Sequence, residues 1–249
     1  MSRTREAQLL LFDPTARTPQ AHAWTVRVSP RARRMTVRVY PGARVEISVP
    51  RGTRPREVEA FVSRERAWIA ARLEEAKLWD AGHADTLPES IALAAYDEQW
   101  QILYRGGRRS LLRESAPGRL ELYGNSADPV PLRRRLRAWL IDHGRRRLGV
   151  SLRRLSQERG FDYDRLQVRC QRTRWGSCSR TGTVSLNVCL LFQSWPVVNY
   201  LMLHELCHTR YMNHSARFWA LVERHEPHWR GLDRSLEQGW RNVPSWFFR

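Results

Sequence analysis

Four side chains between residues 204 and 214 carry the chemistry of a hydrolytic metal site: His204, Glu205, His208 and His214, in a chain with eight histidines in all. On a helix, residues four apart lie one turn above each other with Cβ atoms roughly 5–6 Å apart, so His204 and His208 can both reach one ion through bonds of about 2.0–2.1 Å. Glu205 is rotated by about 100° from His204, which keeps it out of the ligand set and beside the open coordination position. There it can take a proton from water that zinc has acidified to a pKa of about 7 and pass it to a leaving amine. The spacing H-E-x-x-H thus supplies two ligands, an activated nucleophile and a general base around one Zn2+ ion. The plainer alternative is a buried helix whose histidines hydrogen-bond to their neighbours, but such a spacing arises by chance in roughly one chain in a hundred of this size.

Two protein ligands are too few for zinc, so a third is required. His214 follows His208 by six residues, past a helix end expected at Met212-Asn213, and Ser215 can cap a further helix through Phe218, Trp219, Leu221 and Val222. Glu223 and Glu226, on that helix or at its end, would complete a set of two histidines and one glutamate instead. His225 and His228, beside Pro227, read as surface histidines.

The elements that must position these residues can be read from periodicity. Pro196 opens a helix whose Val197, Val198, Leu201, Met202, Leu203 and Leu206 are apolar nearly all round, so it is expected at the centre of the core. Before it, two strands are expected, Leu166–Cys170 extending toward Ser177, and Val184–Leu190, joined by the turn-forming Ser179-Arg180-Thr181-Gly182. Further upstream, Leu132, Leu136, Trp139, Leu140, His143, Leu148, Leu152 and Leu155 trace an amphipathic helix with an interruption expected near Gly149. Trp24–Pro50 alternates apolar and polar residues in three runs, Val26/Val28, Val37/Val39 and Val45/Ile47/Val49, which predicts an antiparallel meander with one buried face. Pro55–Trp79 changes to a helical period through Val58, Phe61, Val62, Ile69, Leu73 and Leu78. Ile91–Tyr123 returns to strand-like text, a second small sheet or an extension of the first, and Asn125–Pro129 reads as a linker. The fold class is therefore α+β, with a β-rich N-terminal region carrying one long helix over residues 1–125 and a metal-site domain over 126–249.

At 249 residues, with 42% hydrophobic and 27% charged, the chain can bury a core without disulfides and is not of disordered composition. Forty-three Lys+Arg against twenty-five Asp+Glu give a net charge of +18. A surplus of that size favours polyanions, and residues 131–172 hold thirteen arginines against four acids, so the Arg-rich helix 131–160 makes nucleic acid a candidate partner. The plainer reading of that run is a solvated helix face; only Lys77 is lysine, so the skew also looks like arginine-rich codon usage. Cys170, Cys178, Cys189 and Cys207 form no C-x-x-C pair and are expected as reduced thiols. The apolar run Leu9–Phe12 is too short for an export signal, and no segment has the roughly 20 apolar residues of a membrane span, so a cytoplasmic protein is expected.

The combination RWGSCS at 174–179, SLN at 185–187, HELCHTRYMNHSARFW at 204–219 and ERHEPHW at 223–229 closely resembles the YgjP-like zinc metallopeptidase family, itself similar to the SprT-type proteases. RARRMTVRV, VEISVP and VEAFVSRERAWI in the N-terminal part extend the resemblance over most of the chain. It implies a compact zincin core of minigluzincin type with an active-site H-E-x-x-H helix, His204, His208 and His214 as ligands, and Glu205 as the catalytic carboxylate. Cys207 departs from the small apolar residue usual in the family and is expected to pack as a small hydrophobe.

In zincins the strand bordering the cleft commonly holds substrate by backbone pairing, which makes Arg174, Trp175, Gly176 and Ser177 candidate substrate-binding residues. Gly176 would permit close backbone approach, and Trp175 would wall a pocket or anchor the hairpin. Tyr211 is a candidate oxyanion stabiliser or a packing residue. The leading expectation is a peptidase acting on protein or peptide. Its rivals are a metal-dependent phosphohydrolase of nucleotides or nucleic acid, and a nucleic-acid-binding module with a structural zinc.

Overall fold

The computed structural model describes residues 24–30, 32–40, 44–81, 86–171 and 174–248. The Leu9–Phe12 run and the side chain of Leu78 lie outside the described residues. The architecture is α+β, in two compact units, Met1–Ala84 and Asp85–Phe247.

In the first unit, β1 (Trp24–Val28), β2 (Thr36–Tyr40) and β3 (Arg44–Val49) are followed by the long helix α1 (Pro55–Ala81). Val45, Ile47 and Val49, at every second position of β3, meet Phe61, Val62, Ile69 and Leu73 of α1 in one core cluster. This is the period-2 face of a strand against the 3.6-period stripe of a helix. The sheet is not the expected meander. Its order is β1-β3-β2, with β2 antiparallel to β3 and β1 parallel to it. Alternation reports which face of a strand is buried and carries nothing about strand direction.

The second unit begins with a separate four-stranded sheet in the order β4-β5-β7-β6. Its strands are β4 (Ser90–Leu93), β5 (Glu98–Arg105), β6 (Leu111–Ala116) and β7 (Arg119–Tyr123). Helix α2 (Pro129–Arg159) follows without interruption. Gly149 costs a helix about 1 kcal/mol relative to Ala, less than the burial of Leu148, Leu152 and Leu155 around it returns at about 1.5–3 kcal/mol each. The helix ends where Gly160 takes φ 68°, and its N–H reaches the carbonyls of Gln157 and Ser156.

A three-stranded sheet comes next, with β8 (Arg165–Arg169), β9 (Gly176–Cys178) and β10 (Thr183–Asn187) in the order β8-β10-β9. Three strands stand where two were expected, because β8 stops at Arg169 and a separate strand, β9, starts at Gly176. β10 is parallel to β8 and antiparallel to β9, and the β9–β10 turn is the expected Ser179–Gly182, with Gly182 at φ 74°. A 3₁₀ turn (Val188–Phe192) leads into α3 (Trp195–Cys207), which packs on α2, β9, α4 (Ala216–His225) and α5 (Trp229–Gln238). Val197, Val198, Leu201, Met202, Leu203 and Leu206 are all buried, so α3 is the expected central helix. No helix among the described residues is long and apolar enough to cross a membrane.

Candidate metal centre

α3 ends at Cys207, earlier than the Met212-Asn213 end expected from sequence, yet His208 keeps helical dihedrals (φ −66°, ψ −18°) and its N–H still bonds to the His204 carbonyl. The i,i+4 relation of the two histidines is therefore kept, and their ring centroids lie 5.0 Å apart. After a tight turn closed by Tyr211 N–H on the Cys207 carbonyl, His214 returns toward α3. Its ring lies 5.1 Å from His204 and 4.7 Å from His208, with the two Nε2 atoms of His204 and His214 3.0 Å apart. One ring nitrogen from each of the three lies within 4.8 Å of the others. Ligands about 2.0–2.1 Å from a single tetrahedral ion are roughly 3.4 Å from each other, so the cluster has the size of a zinc site.

The hydrogen bonds around the rings fix which nitrogen is free. His208 Nδ1 lies 2.9 Å from the Tyr211 carbonyl, which can only accept, so Nδ1 carries the proton and the Nε2 lone pair faces the cluster. Tyr200, one turn before His204, donates its hydroxyl to Asp233 Oδ1 on α5 at 2.8 Å, leaving its oxygen to accept from His204 Nδ1 at 3.5 Å. Burial, together with the Asp233 carboxylate, pushes the Tyr200 phenol far up, so it remains a neutral donor. His214 is held on the far side by a stack: Trp219 is parallel to its ring at 5.5 Å, and Trp229 is parallel to Trp219 at 4.2 Å. Burial, then the neighbouring His208 and His214, push His204 down to about 3, and burial also lowers His208. Both imidazoles are thus neutral at pH 7, the form that ligates a metal. These residues fit a divalent cation.

Glu205 is 4% exposed, and its Oε2 is buried without a hydrogen-bond partner. Burial pushes the carboxyl up to about 8, opposed by Arg174. Gly176 lies directly against it: a Cβ at that position would stand 2.5 Å from Glu205 Oε1. The absence of a side chain at Gly176 therefore serves the packing of the carboxylate. Cys178, two residues along the same strand, also feels Glu205, which together with the larger effect of burial raises its thiol to about 11.

The other sequence candidates divide. Arg174 is exposed, and its carbonyl accepts from Asn187 Nδ2 at 2.7 Å. Trp175 is buried and stacks on Trp240 at 4.1 Å, so it anchors this segment to the C-terminal part of the chain. Ser177 pairs with Ser185 on β10. The Tyr211 side chain is 36% exposed, and it is the backbone carbonyl of that residue that acts on the site. Glu223 pairs with Arg230 at 2.7 Å, and Glu226 Oε1 accepts from the His228 N–H; neither belongs to the cluster. His225 packs on Phe161, its rings 5.2 Å apart, instead of lying free on the surface. Cys207 is fully buried, and all four cysteines are free thiols.

Sequence reasoning missed Tyr200, Asp233 and Asn187. Tyr200 carries a usable signal, a hydroxyl four residues before the first histidine of the cluster. Asn187 donates to the carbonyls of Gln171 and Arg174 and caps the 3₁₀ turn through Cys189 N–H, so it fixes the strand that covers Glu205. Asp233 comes from α5, and nothing near the motif announces it.

The family model described as "YgjP-like, metallopeptidase domain" matches residues 33–239, most of the chain. The chain belongs to the YgjP-like metallopeptidase family. It is a metallopeptidase, and the three-histidine cluster lies within the matched span. Among curated proteins no relative matches. Among solved structures it is similar to the metallopeptidase zymogen abylysin of Pyrococcus abyssi, at TM-score 0.34 and 22% identity over 36% of this chain and 93% of that one. It is also similar to the zymogen jannalysin of Methanocaldococcus jannaschii, at TM-score 0.33 and 16% identity over 36% of this chain and 94% of that one.

Proposed function

We propose that this YgjP-like protein is a zinc-dependent peptidase in which His204, His208 and His214 hold one Zn2+ and Glu205 is the general base. The observation that carries the reading is a buried carboxylate with an unpartnered oxygen, one residue along the helix from His204, in a site where three imidazoles converge. When bound, zinc supplies a Lewis acid that polarises a carbonyl and lowers the pKa of water to about 7. With an ion held there the Glu205 carboxyl would favour its ionised form, and its unpartnered Oε2 would accept a proton from the attacking water and return it to the leaving amine. Gly176 and Asn187 keep that carboxylate in place. Among the described residues β9 is the edge of its sheet, paired only with β10, so its other side offers backbone groups to an extended peptide.

An interaction with nucleic acid through α2 has weaker support. Arg145 and Arg146 pair with Asp142, Arg146 also with Glu114, Arg147 with Glu98 and Arg154 with Glu158. Arg133 is buried, and Arg137 donates to the Phe247 carbonyl. The helix thus leaves fewer free guanidiniums for phosphate than its composition suggests.

The test compares zinc-loaded wild type with Glu205→Gln on an unfolded protein substrate, with metal content measured in parallel. Cleavage by wild type alone, at equal zinc content, is expected. Equal cleavage by both would remove Glu205 from the chemistry, and release of phosphate from nucleotides in place of peptide cleavage would replace the substrate class.

A further inference from the structure

The first unit holds a groove that the metal centre does not use. Its volume is about 450 Å³, and it is lined by Arg33, Arg34 and Met35 before β2, Pro50 and Thr53 between β3 and α1, and Glu57, Phe61 and Arg64 on one face of α1. Three guanidiniums face one carboxylate there. Glu57 is committed: its Oε2 accepts the Arg54 N–H at 2.7 Å, closing the first turn of α1. Thr53 is committed too, its hydroxyl donating to the Pro50 carbonyl at 2.9 Å. Arg64 lies over the Phe61 ring at 5.4 Å and among the described residues has Glu65 as its one acidic partner, at 3.4 Å. Arg33 and Arg34 are exposed and have no acceptor among the described residues. The groove therefore combines uncompensated positive charge with an apolar floor of Met35, Pro50 and Phe61.

We infer that this groove is a docking site for acidic, extended polypeptide, separate from the metal centre. Charge complementarity calls for carboxylates, which Arg binds bidentately. The backbone decides between polypeptide and the other common polyanion, nucleic acid. β2, which begins one residue after Met35, is an edge strand that among the described residues pairs only with β3, and Arg38 on it is exposed. An edge strand offers a row of backbone donors and acceptors that an extended peptide matches and a sugar-phosphate chain does not. Phe61 is the one aromatic ring in the lining and Arg64 already lies over it, so the groove offers no series of rings on which successive bases could stack. The apolar floor suits aliphatic side chains lying between acidic ones. Such a site raises the local concentration of substrate without touching the reacting atoms. As a substrate-recruiting site it rests on the peptidase reading; as a peptide-binding site it does not.

The experiment measures binding of a fluorescein-labelled peptide of alternating Glu and Leu to the full-length Glu205→Gln chain by anisotropy, so that binding is read without cleavage. A Gly-Ser peptide of equal length and single-stranded oligo-dT serve as comparison probes. Arg33→Glu/Arg34→Glu should weaken the acidic peptide at least tenfold, with zinc content and melting temperature unchanged. Arg153→Glu/Arg154→Glu on α2, a reversal of equal charge, should weaken it less than threefold. In the background with Glu205 intact, the Arg33/Arg34 reversal should raise KM for acidic substrates and leave kcat unchanged. Equal loss from both charge reversals, no loss from Arg33/Arg34, or tighter binding of oligo-dT than of peptide at this groove would each overturn the inference.

Discussion

Replacing Tyr200 by Phe removes one hydroxyl from the interior and tests whether the Asp233–Tyr200–His204 chain orients His204 as the proposed metal ligand. Tyr200 is fully buried, its oxygen 2.8 Å from Asp233 Oδ1 and 3.5 Å from His204 Nδ1. The first contact is short and has a charged acceptor, worth about 1.5–3 kcal/mol, but Asp233 is half-buried and water can replace part of it. The second is long, so its contribution to fixing the imidazole belongs at the weak end. Outer partners of metal-bound histidines are worth about 10- to 100-fold in affinity. The expected loss for Tyr200→Phe is therefore about tenfold in zinc affinity, or ~1.4 kcal/mol. Asp233→Asn keeps an acceptor for the phenol and should lose less. Because Asp233 acts through Tyr200, the double variant should bind zinc no more weakly than Tyr200→Phe alone. Zinc competition against a chromophoric chelator reads all four affinities at neutral pH, and melting of the metal-free proteins separates folding from ligation. An unchanged zinc affinity in Tyr200→Phe, or losses that simply add, would refute the chain of contacts.

Gly176→Ala would place a methyl 2.5 Å from Glu205 Oε1, so the carboxylate must move; turnover should fall by about 10²-fold while zinc affinity stays as it was, and an unchanged kcat would mean that the carboxylate position is not critical. Chelation should abolish hydrolysis and lower the melting temperature, since free zinc at a hundred times its Kd stabilises a folded site by about 2.7 kcal/mol; equal melting with and without metal would show that the fold does not hold it. His143 is buried between Trp139 and Trp100, with Nε2 2.8 Å from Glu98. Burial lowers its pKa and Arg146 adds to that, while Glu98 and Glu114 oppose; Arg147 in turn pairs with Glu98. The folded state thus binds fewer protons at this site than the unfolded one, so its contribution to stability is complete above about pH 6.5 and falls as pH drops below it. Denaturant midpoints for wild type and His143→Gln should converge toward pH 5, and parallel curves would exclude His143.

The three-histidine cluster is partly legible because two of its members and the neighbouring carboxylate are local: His204, Glu205 and His208 are placed by one helix, and helical periodicity is the strongest signal a single sequence carries. His214 was open to rivals because its approach depends on a tight turn at Thr209–Tyr211 and on Trp219 and Trp229 stacking behind it, contacts that no spacing encodes. The helix end was misplaced for a related reason. Residues 209–211 contain no Gly or Pro to stop a helix, yet the chain tightens there, with Thr209 and Arg210 N–H on the carbonyls of Leu206 and Cys207 and the Tyr211 carbonyl turned onto His208 Nδ1.

The same distinction runs through the sheets. Alternation correctly marked Val45, Ile47 and Val49 as a buried face, but the parallel partner of β3 is β1, a relation between segments with no sequence mark of its own. Asn187 and Asp233 belong to the same class, since each matters through what lies across from it. Asn187 ties residues 171 and 174 to the end of β10, β10 holds β9, and Gly176 on β9 leaves room for the Glu205 carboxylate. One amide side chain outside the motif, at the end of β10, thereby sets the position of the proposed base. A substitution at Asn187 should for that reason act on Glu205 without touching any of the three imidazoles.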